Sequence, residues 1–162
     1  MRVQTVEIRV SRPDDADVAP LLLALDAYLH QQYPAHEFAH DVTHILSPAE
    51  LLHPSVSFVA AWRDSVVFGC GAMRCMADDS GTYGEIKRMF VVPEARGQRV
   101  GERLLTTLEA RARVLGIRRL RLESGTRQPE ALRLYERCGY RRRAFFGDYA
   151  PHPVSVFMEK QL

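Results

Sequence analysis

The sequence predicts an α/β layered fold, and two observations carry the prediction. The hydrophobic period switches repeatedly between the alternation of a strand and the three-to-four spacing of an amphipathic helix. The resulting order is strand, helices, three strands, helix, strand, helix and one or two more strands. The middle of the sheet is then antiparallel, and the later part contains a βαβ-like unit. With 162 residues, 46% hydrophobic and 26% charged, the chain fits one domain spanning 1–162 with a core of its own.

Each element has a local reason. "VEIRV" at 6–10 alternates as a first strand. Ser11, Asp14 and Asp15 then offer caps for a helix through residues 16–33 that stops by Pro34. A short helix is expected at "SPAELLH", 47–53. The apolar runs "SVSFVAAW" and "VVFGCGAMRCM", separated by Arg63, Asp64 and Ser65, read as an antiparallel hairpin. "ADDSGTYG" reads as a turn, and "EIKRMFVV" as a strand ended by Pro93. Residues 99–115 place Val100, Leu104, Leu105 and Leu108 at helical spacing until Gly116. "IRRLRLES" is a strand, "QPEALRLYERCG" a helix with Pro in its first turn and Gly139 at its end, and "PVSVFMEK" a last strand.

Composition narrows the function. Cys70, Cys75 and Cys138 form no C-x-x-C pair, which fits reduced packing thiols rather than a disulfide framework. Charges interrupt every apolar run of the N-terminus, and nowhere do about 18 uncharged apolar residues stand together. A cytoplasmic protein without membrane partners is expected. The net charge of +2 conceals an asymmetry: residues 94–143 hold 14 arginines against 6 acids, whereas residues 1–93 hold 7 basic and 12 acidic side chains. A field of that kind favours a polyanionic ligand, either nucleic acid or a phosphate-rich cofactor.

The basic stretch contains "VVPEARGQRVGERLL", a strand-to-helix junction whose bared N–H groups can bind an anion. It is neither a G-x-x-x-x-G-K-S/T loop nor a G-x-G-x-x-G loop. Residues 96–101, Arg-Gly-Gln-Arg-Val-Gly, resemble the Q/R-x-x-G-x-G/A signature of the GNAT superfamily of acyl-CoA-dependent N-acyltransferases. The setting agrees. An apolar strand end and Pro93 precede the signature, and residues 128–140 resemble the family's later N-x-x-A-x-x-x-Y-x-x-x-G-F/Y helix. Arg99 stands where that family has glycine, and Gln128 where it has asparagine.

The resemblance implies a GNAT fold: a mixed sheet of about six to seven strands, antiparallel at first, with a splayed parallel pair at the cofactor site and about four flanking helices. It implies acetyl-CoA as cosubstrate, no metal, and transfer of the acetyl group to a primary amine of a small molecule or peptide. Backbone groups of Met89, Phe90 and Val91 would hold the pantetheine arm. Arg96, Gly97, Gln98, Arg99, Val100, Gly101 and Glu102 would receive the pyrophosphate and ribose phosphate, supported by Gln128 and Tyr135.

An alkylamine of pKa ~10.4 is neutral at pH 7 only about once in 2,500 molecules, a deficit near 4.6 kcal/mol that a general base offsets. Glu85, six residues before Val91, matches the base position of histone-type members and is the first candidate. Glu123, twelve residues before Tyr135, matches that of ribosomal-protein N-terminal acetyltransferases. A water or another group is the third option. Tyr135 resembles the acid that protonates the departing thiolate.

Other readings carry less. "HEFAH" at 36–40 matches the zinc signature H-E-x-x-H, with His44 four residues on, but His44 comes too early for a third ligand. A His-lined acceptor pocket or plain surface is the expectation for His36, Glu37, His40 and His44. No nucleic-acid motif accompanies the arginines, and alternation in "IRRLRLES" puts Arg119 and Arg121 on one solvated or helix-covered face. A regulator that binds acyl-CoA without turnover is the alternative to the enzyme, and a homodimer is left open.

Overall fold

The computed structural model describes residues 5–37 and 44–162. At its centre is a seven-stranded sheet in the order β1-β2-β3-β4-β5-β7-β6. The strands are β1 Glu7–Val10, β2 Val56–Arg63, β3 Val66–Asp78, β4 Gly81–Val91, β5 Arg119–Gly125, β6 Arg141–Arg143 and β7 Ser155–Gln161. They alternate with the helices α1 Ala19–Gln32, α2 Val100–Val114 and α3 Pro129–Arg137. Tight 3-10 turns lie at Glu50–Leu52 and Pro93–Ala95. This is the mixed α/β architecture the element order predicts. Among the described residues, no helix is long and apolar enough to cross a membrane.

The apolar runs are continuous because both faces of the central strands are covered. Phe58 and Ala60 of β2 pack with Leu21, Leu22 and Leu25 of α1. Val59 and Ala61, on the other face, pack with Leu104, Leu105 and Leu108 of α2. All three thiols are free.

Two boundaries differ from expectation for local reasons. Helix α1 starts only at Ala19, because the Val18 and Ala19 N–H groups turn back onto the Asp15 carbonyl at 3.0 and 2.8 Å. Asp14 and Asp15 instead hold Arg12 in the preceding turn. The expected eight-residue turn at 77–84 shrinks to Asp79 and Ser80, since β3 continues to Asp78 and β4 begins at Gly81, whose φ of 108° closes the hairpin. Polar composition marked a hairpin that projects past the core, not a loop.

One pairing in the sheet is parallel, β4 with β5, and it is confined to Gly84 with Leu120 and Glu85 with Arg121. Gly84 permits it: a Cβ there would lie 2.5 Å from Leu120 Cδ2. Beyond Glu85 the two strands diverge, opening the sheet toward its β4 C-terminal end.

Arg121 departs from the expected solvated or helix-covered face. Its side chain is 2% exposed and donates to Asp78 Oδ2 at 2.7 Å and Glu159 Oε2 at 2.6 Å, with its guanidinium 4.4 Å from the Tyr83 ring centre. Part of the basic segment is therefore spent inside the protein, tying β3, β5 and β7 together.

Candidate active site

The basic junction is built by two left-handed residues. Gly97 has φ 77°, which glycine adopts without strain, and Arg99 has φ 60° as the residue preceding α2. An arginine in that conformation costs roughly 1–2 kcal/mol. No side chain caps the helix, and the first helical bond from Arg103 reaches the Arg99 carbonyl. The first-turn N–H groups are thus left for a ligand, with the helix dipole behind them.

These groups border a cleft of about 480 Å³ between the β4 end, the start of α2, and α3. Of the sequence-predicted cofactor residues, Met89, Phe90, Val91, Arg96, Gly97, Arg99, Val100, Gly101, Glu102, Gln128 and Tyr135 line it. Gln98 does not. Its amide is turned away, accepting from Arg63 Nη2 at 2.9 Å and donating to the Glu94 carbonyl at 3.2 Å. Arg133 and Arg137 of α3 also border the cleft and carry no motif that would single them out. Gly101 has a packing reason of its own, because a Cβ there would sit 2.7 Å from Leu134 Cδ2. The close approach it permits is that of α3 to α2.

The strand end offers backbone as well. Val92 donates to the Phe68 carbonyl of β3 at 3.0 Å, so strand alternation turns the Val91 N–H and carbonyl to the opened side. Arg96 Nε donates to that carbonyl at 3.1 Å. A bulge precedes this segment: Cys70 pairs with Phe90 and Ala72 with Lys87, so Arg88 and Met89 oppose Gly71 alone. Arg88 carries the φ of 56° that the bulge requires.

A second chamber, of about 110 Å³, adjoins the cleft. Leu25 and Leu29 of α1, Tyr33, residues 44–46, residues 86–89 of β4, Glu123, Ser124, Gly125, Gln128 and Tyr135 line it. Leu25, Met89, Gln128 and Tyr135 border both spaces, so the two meet there. Gly125 is needed by Tyr33: a Cβ would lie 1.5 Å from the Tyr33 hydroxyl, which accepts from Gln128 Nε2 at 3.3 Å.

The two candidate bases part company. Glu85 lies at the closed end of the β4–β5 pair, with its side chain 2% exposed, and borders neither space; Arg74 Nη2 is 3.2 Å and Lys87 Nζ 3.4 Å from its Oε1. Glu123, beyond the point of divergence, lines the chamber beside Lys87 and Tyr135. Tyr135 is 6% exposed, and burial, then the Glu123 charge, raise its pKa.

Sequence reasoning missed Lys87. Its side chain is 10% exposed, and its Nζ donates to the His44 carbonyl at 3.0 Å and to the Tyr149 hydroxyl. Burial pushes its pKa down, against the pull of Glu85 and Glu123. The His44 ring stacks on Tyr149 with centroids 4.2 Å apart. Elsewhere in the H-E-x-x-H stretch, Glu37 accepts both edges of Arg127, at 2.8 and 3.1 Å, and this pairing lowers its pKa. His40 lies outside the described residues.

Comparison with known proteins agrees with this geometry. The model of the acetyltransferase (GNAT) family matches residues 21–140. An IAA acetyltransferase of Azospirillum brasilense is 42% identical over 157 residues, covering 97% of this chain and 98% of that protein. A crystal structure from Klebsiella pneumoniae, assigned as an acyl-CoA N-acyltransferase, is 38% identical, with a TM-score of 0.76 over 98% of this chain and 99% of that one. The PaiA N-acetyltransferase of Thermoplasma acidophilum, solved in complex with coenzyme A, shares the fold at 19% identity, with a TM-score of 0.74 and coverage of 98% and 99%. With the splayed parallel pair, the uncapped helix start and these matches together, the chain belongs to the GNAT family of acetyltransferases.

Proposed function

We propose that the protein transfers the acetyl group of acetyl-CoA directly to a primary amine held in the smaller chamber. One observation carries the reading: the anion-ready cleft and the chamber meet at Met89, Gln128 and Tyr135, where the sheet has opened. The first-turn N–H groups of α2, with Gly97 and Arg99, hold the pyrophosphate, and the open-side backbone of Val91 holds the pantetheine arm. Arg96 gives up the Val91 carbonyl when that arm arrives.

Glu123 is the base in this reading. Glu85 has fixed cationic partners and no access to the chamber, whereas Glu123 borders the space in which the amine must sit. It takes the amine proton directly or through water as nitrogen attacks the thioester carbonyl. Tyr135 then gives its phenolic proton to the departing thiolate sulfur as the C–S bond breaks. Burial, then the Glu123 charge, raises its pKa, which makes early proton loss unfavourable, so the transfer is concerted with cleavage. Purified protein, supplied with acetyl-CoA and a panel of amines, should release free thiol only when an acceptor is present. Thiol release that no amine stimulates would leave an acyl-CoA-binding regulator in place of this enzyme.

A further inference from the structure

In a regular strand Lys87 and Arg88 would point to opposite faces of the sheet. The bulge cancels that alternation. Lys87 reaches the His44 carbonyl and Tyr149, while Arg88 Nη1 reaches Asp26 of α1 at 2.6 Å and its Nη2 approaches the Leu22 carbonyl at 3.4 Å. Both border the smaller chamber, so a buried arginine and a half-buried lysine stand side by side at its edge. Lys87 Nζ also pairs with Glu85 Oε1 at 3.4 Å, and Arg88 is not fully used. Arg88 Nε, although buried, has no hydrogen-bond partner among the described residues.

Charge balance points the same way. Arg88 pairs with Asp26, and Lys87 lines the chamber together with Glu123. A simple alkylammonium entering there brings a positive charge beside the Lys87 ammonium. A molecule bearing its own anion brings no net charge. Separation of the partners supports orientation too, since the cations lie on β4 and Glu123 lies on β5, across the divergence.

We propose that the acceptor is a small zwitterion, a primary amine joined by a short chain to a carboxylate or phosphonate, whose anionic group is held by Lys87 and Arg88 while its nitrogen faces Glu123 and Tyr135. The placement of the nitrogen rests on the acetyl-transfer reading above; the anion contact does not.

The test measures acceptor binding by calorimetry on protein saturated with coenzyme A, alongside acetyl transfer from acetyl-CoA. The probes are β-alanine, 2-aminoethylphosphonate, propylamine and 1,3-diaminopropane, the first two separating carboxylate from phosphonate. At least one zwitterion should bind tenfold or more tightly than propylamine, with the diamine weakest. Lys87→Met should erase the preference, and Lys87→Arg should keep most of it. If Lys87→Met does not fold, competition on the wild-type protein decides: acetate or methylphosphonate should displace the bound zwitterion, and propylamine should not. Equal binding of propylamine and both zwitterions, or a preference that survives in folded Lys87→Met, overturns the proposal. A zwitterion preference in binding without transfer to any probe would uphold the anion site and count against the transfer reading alone.

Discussion

The two ends of β5 contain buried or half-buried charges two residues apart, and they behave in opposite ways. Arg121, at the end where β4 still pairs, is enclosed by Asp78, Glu159 and Ser80 and touches no chamber. Glu123, past the last β4 contact, looks into open space shared with Lys87 and Tyr135. What separates them is not residue type but whether the neighbouring strand is present. Where it is, the charge is enclosed within the sheet; where it is absent, the charge borders a chamber. Glu85 sits on the last paired register and falls on the enclosed side.

The largest effect should come from crossing that line in the catalytic direction. Glu123→Gln is expected to lower kcat by roughly 10²–10⁴-fold with acetyl-CoA affinity kept, and higher pH should restore part of the loss by supplying free amine. Glu85→Gln should change kcat by less than about tenfold and show itself in thermal stability. Tyr135→Phe should lose activity that high pH does not restore, and the loss should shrink with a thioester whose thiol is more acidic. A collapse in Glu85→Gln with Glu123→Gln fully active across pH would move the chemistry to the closed end.

The closed end should fail by unfolding. Arg121→Met removes the buried cation, but Asp78 keeps Ser80 and Glu159 keeps Arg143, so the protein should lose at most about 3 kcal/mol, the lower limit for broken buried pairs. Denaturant titration reads this directly. The Asp78 carboxyl, held by the Ser80 hydroxyl and then by Arg121, is lowered from 3.8 to about 2. A depressed carboxyl contributes stability that is present above its unfolded pKa and lost as pH falls through the folded one. The wild-type protein should therefore lose this increment between about pH 4 and pH 2, and Asp78→Asn should lack that part of the acid transition. An unchanged acid profile in Asp78→Asn would mean the network holds nothing.

This division explains how much was legible beforehand. The half proposed to hold the cofactor rests on short segments: Gly97, the helix start at Val100 and the α3 motif around Tyr135 each depend on residues close by in sequence. Even the left-handed Arg99 was flagged by the glycine it replaces. The acceptor half depends on facts that no short segment contains. The choice between Glu85 and Glu123 turns on where β5 leaves β4, and the paired positions, Gly84 with Leu120 and Glu85 with Arg121, come from different parts of the chain. Lys87 and Arg88 share a face only because Gly71, on another strand, faces a bulge. Gln98 matched the motif, yet its side chain is claimed by Arg63 of β2, 35 residues away.

The smallest expected effect concerns the same contrast within one residue, since Arg99 is both strained and exposed to ligand. Its side chain is 85% exposed, with Glu102 Oε2 at 3.7 Å. Arg99→Gly removes the left-handed strain of roughly 1–2 kcal/mol. The freer unfolded chain takes back about 0.4–1 kcal/mol of that. Stability should rise by up to about 1.6 kcal/mol, visible as a higher denaturation midpoint with unchanged slope. Affinity should move the other way. A solvent-exposed guanidinium on a phosphate contributes about 0.5–1 kcal/mol, so acetyl-CoA should bind roughly two- to fivefold more weakly to the variant at low salt. The gap should close as ionic strength rises, and it should be smaller for dephospho-coenzyme A if the contact is to the ribose phosphate. A variant that gains stability and binds acetyl-CoA as tightly as before would show that Arg99 merely occupies a glycine's place and that the backbone alone holds the phosphates.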